Sequence, residues 1–226
     1  MFDRIARRYD LLNHLLSFGF DFYWRRRAVK NLDKAGVGLV IDLACGTGDL
    51  SLAAARTGDC NGLIVGIDMA GGMLKLAGRK ISARNLNKQV KLLHANAMAL
   101  PLQDNCADAV MIAFGIRNMP DTVACLSEIC RVLKPSGRAI VLEFSLPENR
   151  LIRTLYLPYL RWILPHLGRM ISGDRQAYTY LDKTVETYCY GDEFVRLMKD
   201  ADFANIALTP LTGGIVTIYT GEKRDL

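Results

Sequence analysis

An α/β fold, with a mostly parallel sheet of seven strands and helices on both faces, follows from three features of this 226-residue chain. Short apolar segments alternate with amphipathic ones along the middle of the sequence. A glycine-rich turn joins the first such pair. A last pair of strand-like segments flanks a Thr-Gly-Gly turn. Strand and helix in this rhythm imply parallel pairing through right-handed crossovers, and a ligand site at the carboxyl ends of the strands.

Each element has its own warrant. Residues 38–44 (GLVIDLA) are short, apolar and closed by a Gly-rich turn, so they read as a buried strand; Asp49–Arg56 then reads as a helix. Leu63–Ile67 is a second strand and Ala70–Ala83 a second helix, followed by strands at Val90–His94 and Asp108–Ala113. Asp121–Leu133 is a helix capped by Asp121 and stopped by Lys134-Pro135-Ser136-Gly137. Arg138–Phe144 is the fifth strand. Phe203–Thr209 and Ile215–Thr220 pair antiparallel around Thr212-Gly213-Gly214. The length suits one domain, with residues 1–31 as an N-terminal lid and about 146–190 as an insertion facing substrate or membrane.

Half of the residues are hydrophobic, 23% are charged and the net charge is +6. No apolar run reaches the roughly 18–20 residues that span a bilayer. The N-terminus lacks the apolar core of a secretory signal. The six cysteines form no C-x-x-C pair and the three histidines are scattered, so no metal site is expected. Reduced thiols without a signal place the chain in the cytoplasm. The basic residues stand among apolar and aromatic ones, which suits an anionic membrane surface better than nucleic acid.

The sharpest motif is Asp42-Leu43-Ala44-Cys45-Gly46-Thr47-Gly48-Asp49. It fails as a dinucleotide fingerprint, because Ser51 stands at the third glycine position. Asp42 and Asp49 would also repel a diphosphate. A cationic ligand is not repelled, and S-adenosylmethionine carries an ammonium and a sulfonium. Asp68, about 20 residues past the loop, is placed to accept ribose hydroxyls. Asn96 and Ala97 follow the third strand and suit an adenine edge, with Met69 lining that pocket. Cys45 reads as a small packing residue. His14, in an apolar helix, reads as packed rather than catalytic.

Two longer signatures then carry a resemblance over nearly the whole chain. One is Tyr9-Asp10-Leu11-Leu12-Asn13, continuing to Trp24; the other is Arg131-Val132-Leu133-Lys134-Pro135 with Leu142-Glu143-Phe144-Ser145, and Phe114-Gly115-Ile116-Arg117-Asn118 stands between them. The chain resembles the ubiquinone/menaquinone biosynthesis C-methyltransferases. The resemblance implies a class I methyltransferase, Rossmann-like fold and cofactor contacts at Thr47, Asp68, Asn96 and Ala97. Gly46, Gly48, Asp42 and Met69 complete the expected S-adenosylmethionine site.

The reaction implied is C-methylation of a prenylated quinol. The first choice is 2-demethylmenaquinol to menaquinol; a polyprenyl benzoquinol is the alternative. From other classes, an NAD(P)-binding oxidoreductase and a non-enzymatic membrane-surface protein remain open. A ring carbon attacks only when a phenolate pushes electrons into it, so the site must stabilise that anion. Arg117 is the expected anion stabiliser and Asn118 a hydrogen-bonding partner of a ring oxygen. Tyr9 and Asp10 are expected to close over the ring and orient it or relay its proton. The partners expected are the quinol and peripheral contact with the inner face of the cell membrane, without nucleic acid; a homodimer is compatible with the sequence. Insertion residues 150–173 carry four arginines and no carboxylate among aromatic residues, and Pro158 and Pro165 are expected to break its helices.

Overall fold

The structure is a computed structural model, and it describes residues 10–11, 13–32, 38–57, 60, 62–164, 166 and 187–225. Seven strands form one sheet in the order β3-β2-β1-β4-β5-β7-β6. The strands are β1 (Leu39–Leu43), β2 (Leu63–Asp68), β3 (Val90–His94), β4 (Ala107–Ala113), β5 (Leu133–Phe144), β6 (Phe203–Leu211) and β7 (Val216–Lys223). All neighbours through β5 are parallel; β7 runs antiparallel to both β5 and β6. The order reverses at β1, which lies between β2 and β4, and a crevice opens there at the strands' carboxyl ends.

Among the described residues, six helices pack around this sheet: α1 (Phe20–Val29), α2 (Asp49–Thr57), α3 (Gly71–Ser82), α4 (Thr122–Val132), α5 (Arg150–Pro158) and α6 (Asp192–Asp200). Alternate strand residues face opposite layers. Val40, Ile64, Met111 and Ile140 pack against Trp24 and Val29 of α1, Leu52 of α2 and Ile81 of α3. Ile41, Ile67, Val110 and Val141 pack on the other face against Leu126 and Ile129 of α4 and Phe194 and Met198 of α6. Both faces are thus covered, as a sheet with apolar residues on both sides requires.

Two boundaries differ from the sequence reading. The stop signal Lys134–Gly137 does not separate α4 from the next strand: β5 begins at Leu133. Leu133 pairs with Ala107 but Arg138 pairs with Ala109, so five residues on β5 span two on β4. The Pro-Ser-Gly turn bulges out of the ladder, with Ser136 at φ 59°. Pro158 does not break its helix either. The chain continues through a wider π turn at Tyr159–Ile163, which absorbs the missing N–H donor. Pro165 and residues 167–186 of the insertion lie outside the described residues. As expected, Asp121 caps α4: its Oδ1 accepts the Ala124 N–H at 2.9 Å.

The arginine of the second signature serves the fold. Arg131 donates to Glu128 at 2.7 Å, to Asp104 at 2.6 Å and to the carbonyls of Leu100 and Leu102. It ties the loop between β3 and β4 to α4. Among the described residues, no helix is long and apolar enough to cross a membrane.

Candidate active site

The loop after β1 is built by hydrogen bonds that its sequence anticipates only in part. Asp42, 1% exposed, accepts from the Ser51 backbone N–H at 2.8 Å and from its hydroxyl at 2.5 Å. This pins the first turn of α2 to β1. Burial raises the Asp42 carboxyl to about 7 against the opposing bonds from Ser51, and nearby Asp68 adds to the rise. Gly48 sits at φ 83°, and a Cβ there would stand 3.2 Å from the Cβ of Ala77 in α3. Only glycine meets both demands. Cys45 is buried behind the loop, where its sulfur occupies the space a side chain at Gly66 would need.

Asp68 closes the far side. Its Oδ2 accepts the Gly46 N–H and its Oδ1 the Ala70 N–H, both at 2.8 Å. A cavity of about 410 Å³ opens here, floored by the ends of the first four strands. Gly46, Asp68, Met69, Asn96, Ala97 and Asn118 all line it. Asp42, Thr47 and Gly48 do not; they shape the loop from behind. Asn96 uses its Oδ1 to accept the Met98 N–H at 3.0 Å, which holds its turn. Asn118 brings a buried Oδ1 with no partner among the described residues. A buried acceptor left unpaired costs about 1–3 kcal/mol, so it calls for a donor from a ligand. The carboxylate at one end, the orphaned acceptor and the apolar methionines suit a ligand with cationic, hydroxylated and aromatic parts, which S-adenosylmethionine has.

A second cavity, of about 320 Å³, lies beyond Phe114. Its walls are apolar: Leu16, Phe18 and Trp24 from the N-terminal segment and α1, Phe144 from β5, and Leu155, Tyr156 and Leu160 from the insertion. Phe114 lines both cavities and is their common wall. Its backbone is left-handed, with φ 57°, and is held by a 2.8 Å bond from its N–H to the Leu142 carbonyl. The next residue, Gly115, passes the loop so closely that a Cβ would lie 2.8 Å from that of Ala44.

Arg117 lines the apolar cavity. Its charge is already matched: Nη1 donates to Glu143 at 2.6 Å and to the Phe114 carbonyl at 2.8 Å. The guanidinium lies over the Phe144 ring, 5.3 Å from its centroid. Its buried Nε has no partner among the described residues. Sequence reasoning passed over Glu143, although Glu143 stands within one of the two signatures. A carboxylate 1% exposed next to an arginine marks a fixed pair, but nothing in the linear sequence says the two strand ends meet.

The N-terminal segment holds a second polar cluster missed by the sequence reading. Asp21, buried and lining the apolar cavity, accepts from Ser17 at 2.9 Å, approaches His14 Nδ1 at 2.7 Å and pairs with Arg25. Burial alone would push its carboxyl up. The Arg25 guanidinium, Ser17 and His14 together outweigh this and hold it below the ordinary carboxylate range. The other nitrogen of His14 lies 3.9 Å from Asp49. Asp10 is not brought to the apolar cavity. It reaches the glycine loop instead, 2.5 Å from the Thr47 hydroxyl, because Lys80 of α3 draws it there at 2.9 Å. Lys80 also pairs with Asp49. Tyr9 lies outside the described residues.

Comparison with known proteins agrees with this architecture. The model of the ubiE/COQ5 methyltransferase family matches residues 1–223. The chain is 46% identical to the ubiquinone/menaquinone biosynthesis C-methyltransferase UbiE of Syntrophotalea carbinolica, over 98% of this chain and 92% of that one. It is 44% identical to the demethylmenaquinone methyltransferase of Thermus thermophilus, over 99% of this chain and 100% of that one. A solved structure of a methyltransferase from Methanococcus maripaludis, described as S-adenosylmethionine-dependent, superposes with a TM-score of 0.69 at 19% identity. It covers 100% of this chain and 95% of its own, and supports the class I methyltransferase fold. With a family model spanning almost every residue and a matching fold, the chain belongs to the ubiE/COQ5 methyltransferase family.

Proposed function

We propose that the chain is an S-adenosylmethionine-dependent enzyme that methylates a ring carbon of a prenylated quinol, with demethylmenaquinol as its substrate. One observation carries the reading: the short 3-10 turn Ile116–Asn118 presents a polar residue to each cavity. Asn118, with its unpaired acceptor, lines the cavity beside Asp68, and Arg117, with its unpaired Nε, lines the apolar one. Bound S-adenosylmethionine supplies an electrophilic methyl group. Asp68, Gly46, Asn96 and Ala97 would hold it, and the unpaired Oδ1 of Asn118 would accept one of its donors.

The chain's own residues do the rest. The apolar cavity excludes water from a quinol ring and strengthens every charge interaction there. The Nε–H of Arg117 donates to a ring oxygen and stabilises the phenolate that pushes electrons into the ring. Glu143 keeps the guanidinium in place. Asp21, ionised and buried on the same cavity, accepts the ring proton that leaves after methylation, and His14 carries it toward Asp49 and solvent. Asp10 and Lys80 fasten the N-terminal segment over the glycine loop.

The mouth of the apolar cavity supports peripheral contact with an anionic membrane. Phe18 and Leu155 line the cavity yet are 75% and 70% exposed, and Trp162 is 69% exposed. Arg150 and Arg153, both exposed, lie on the same helix as Leu155. Such a rim lets a ring enter while its isoprenoid tail stays in lipid. The demethylmenaquinone reading rests on similarity to the demethylmenaquinone methyltransferase of Thermus thermophilus; similarity to UbiE keeps a benzoquinol acceptor as the second reading. Purified protein should convert reduced naphthoquinol to a product heavier by one methyl group, read by mass spectrometry, and do so faster than reduced benzoquinol. The reverse preference would reject the substrate, and no product from either would reject the reaction.

A further inference from the structure

The roomiest cleft among those described holds neither donor nor quinol. It measures about 490 Å³ and lies between α1 and α2. Arg25, Arg26, Lys30, Arg56 and Arg84 line it, with one carboxylate, Asp49. Phe22, Arg26 and Lys30 stand four residues apart and share one face of α1. Leu52 and Arg56 share the facing side of α2, so basic and apolar side chains line the cleft together.

Charge does not balance there. Asp49 is already paired with Lys80, and Arg25 with Asp21. Arg84 is turned to the Lys80 carbonyl at 3.1 Å and keeps its full charge. Arg26, Lys30 and Arg56 have no carboxylate partner among the described residues. Four exposed cations line one concave surface, where an anion is attracted to all of them at once. Guanidinium forks match phosphate oxygens in pairs, and lysine adds a point charge.

We infer that this cleft is a binding site for a phosphate group, held by Arg26, Lys30, Arg56 and Arg84. The site is independent of the methyl-transfer reading. Its position adds meaning: Arg25 lines both this cleft and the apolar cavity, so a bound phosphate sits next to the route of an apolar chain. Phosphate reaches such a place either as the headgroup of an anionic phospholipid or as a free ion.

The test separates the two sources. Full-length protein is titrated with inorganic pyrophosphate by calorimetry. In parallel it is sedimented with phosphatidylcholine vesicles with and without phosphatidylglycerol. Two variants are compared, Arg26→Gln with Arg56→Gln and Lys30→Gln with Arg84→Gln, each checked for folding by its stabilisation with S-adenosylhomocysteine or, independently, by its circular dichroism. Pyrophosphate binding that weakens about tenfold or more in either variant supports the site as one for free phosphate. Phosphatidylglycerol-dependent recovery that falls as much in a folded variant, without pyrophosphate binding, supports the headgroup. Wild-type protein that ignores both probes, or variants that bind as wild type, overturns the inference.

Discussion

Arg117 and Asn118 are adjacent in the chain and serve different cavities, which makes their partners the sharpest test of the site. Replacing Arg117 by Ala should lower kcat by about 100-fold, the usual loss on removing one charge-stabilising donor, while S-adenosylhomocysteine binding is kept. Glu143→Gln should also lower kcat, but through misplacement of Arg117, and should cost stability because a buried guanidinium loses its counter-charge. Stopped turnover assays alongside denaturant unfolding separate the two effects; equal stability of Glu143→Gln and wild type would argue against the pair. Asp42 makes a pH prediction. Its carboxyl is raised from 3.8 to about 7 in the fold, so between these values the folded state holds a proton that the unfolded chain has released. The sign is therefore a loss of stability as pH rises from about 4 to 7, on the order of 4 kcal/mol for a fully buried group. Asp42→Asn should flatten that slope in unfolding measured across this range.

At the scale of elements, the caps and bends set where the functional turns sit. Asp121 caps α4, whose other end leads into β5 and Glu143. Asp121→Ala should cost about 1 kcal/mol in denaturant unfolding and leave turnover nearly unchanged, since its side chain is spent on the cap and lines neither cavity. A large loss of turnover would show that α4 positions the site more directly. The insertion is the opposite case. Its π turn carries Tyr159, whose hydroxyl donates to the Leu16 carbonyl at 2.5 Å, and Leu160, buried against Leu16. The insertion and the N-terminal segment thus form one wall of the apolar cavity, and neither makes that wall alone.

Across the whole molecule, the ends of the sheet supply the cavity beside Asp68, and the N-terminal segment and the insertion supply most of the wall of an apolar one with an exposed rim. Leu155→Ser together with Trp162→Ser should raise KM for a long-tailed quinol several-fold, because about 1 kcal/mol or more of apolar contact is lost at each position. A short-tailed quinol should be affected much less. Equal effects on both would place the tail elsewhere. The aromatic cluster Trp24, Phe114 and Phe144, with Trp24 Nε1 bonded to Thr212 at 2.7 Å, joins the N-terminal segment to the sheet. Through it, the N-terminal segment and the wall shared by the two cavities are one structural unit.

The glycine loop, Asp68 and the alternation of apolar segments are local patterns, and local patterns survive in one dimension. The sheet and the placing of a cavity at its carboxyl ends were legible for that reason; the order of the strands was not, since no local pattern carries it. Asp21 was passed over although Ser17 and Arg25 stand four positions to either side of it, a helical spacing the sequence does show. Glu143 and Lys80 were not legible, because each acquires its role from a partner brought close by folding: Arg117 and Glu143 are 26 positions apart, Lys80 and Asp10 70. The same holds for Asp10, which its signature associates with the substrate and Lys80 draws to the loop. A sequence determines which residue types are available and which segments can bury a face. Long-range charge pairing and the space left between packed elements exist only once the chain has closed on itself.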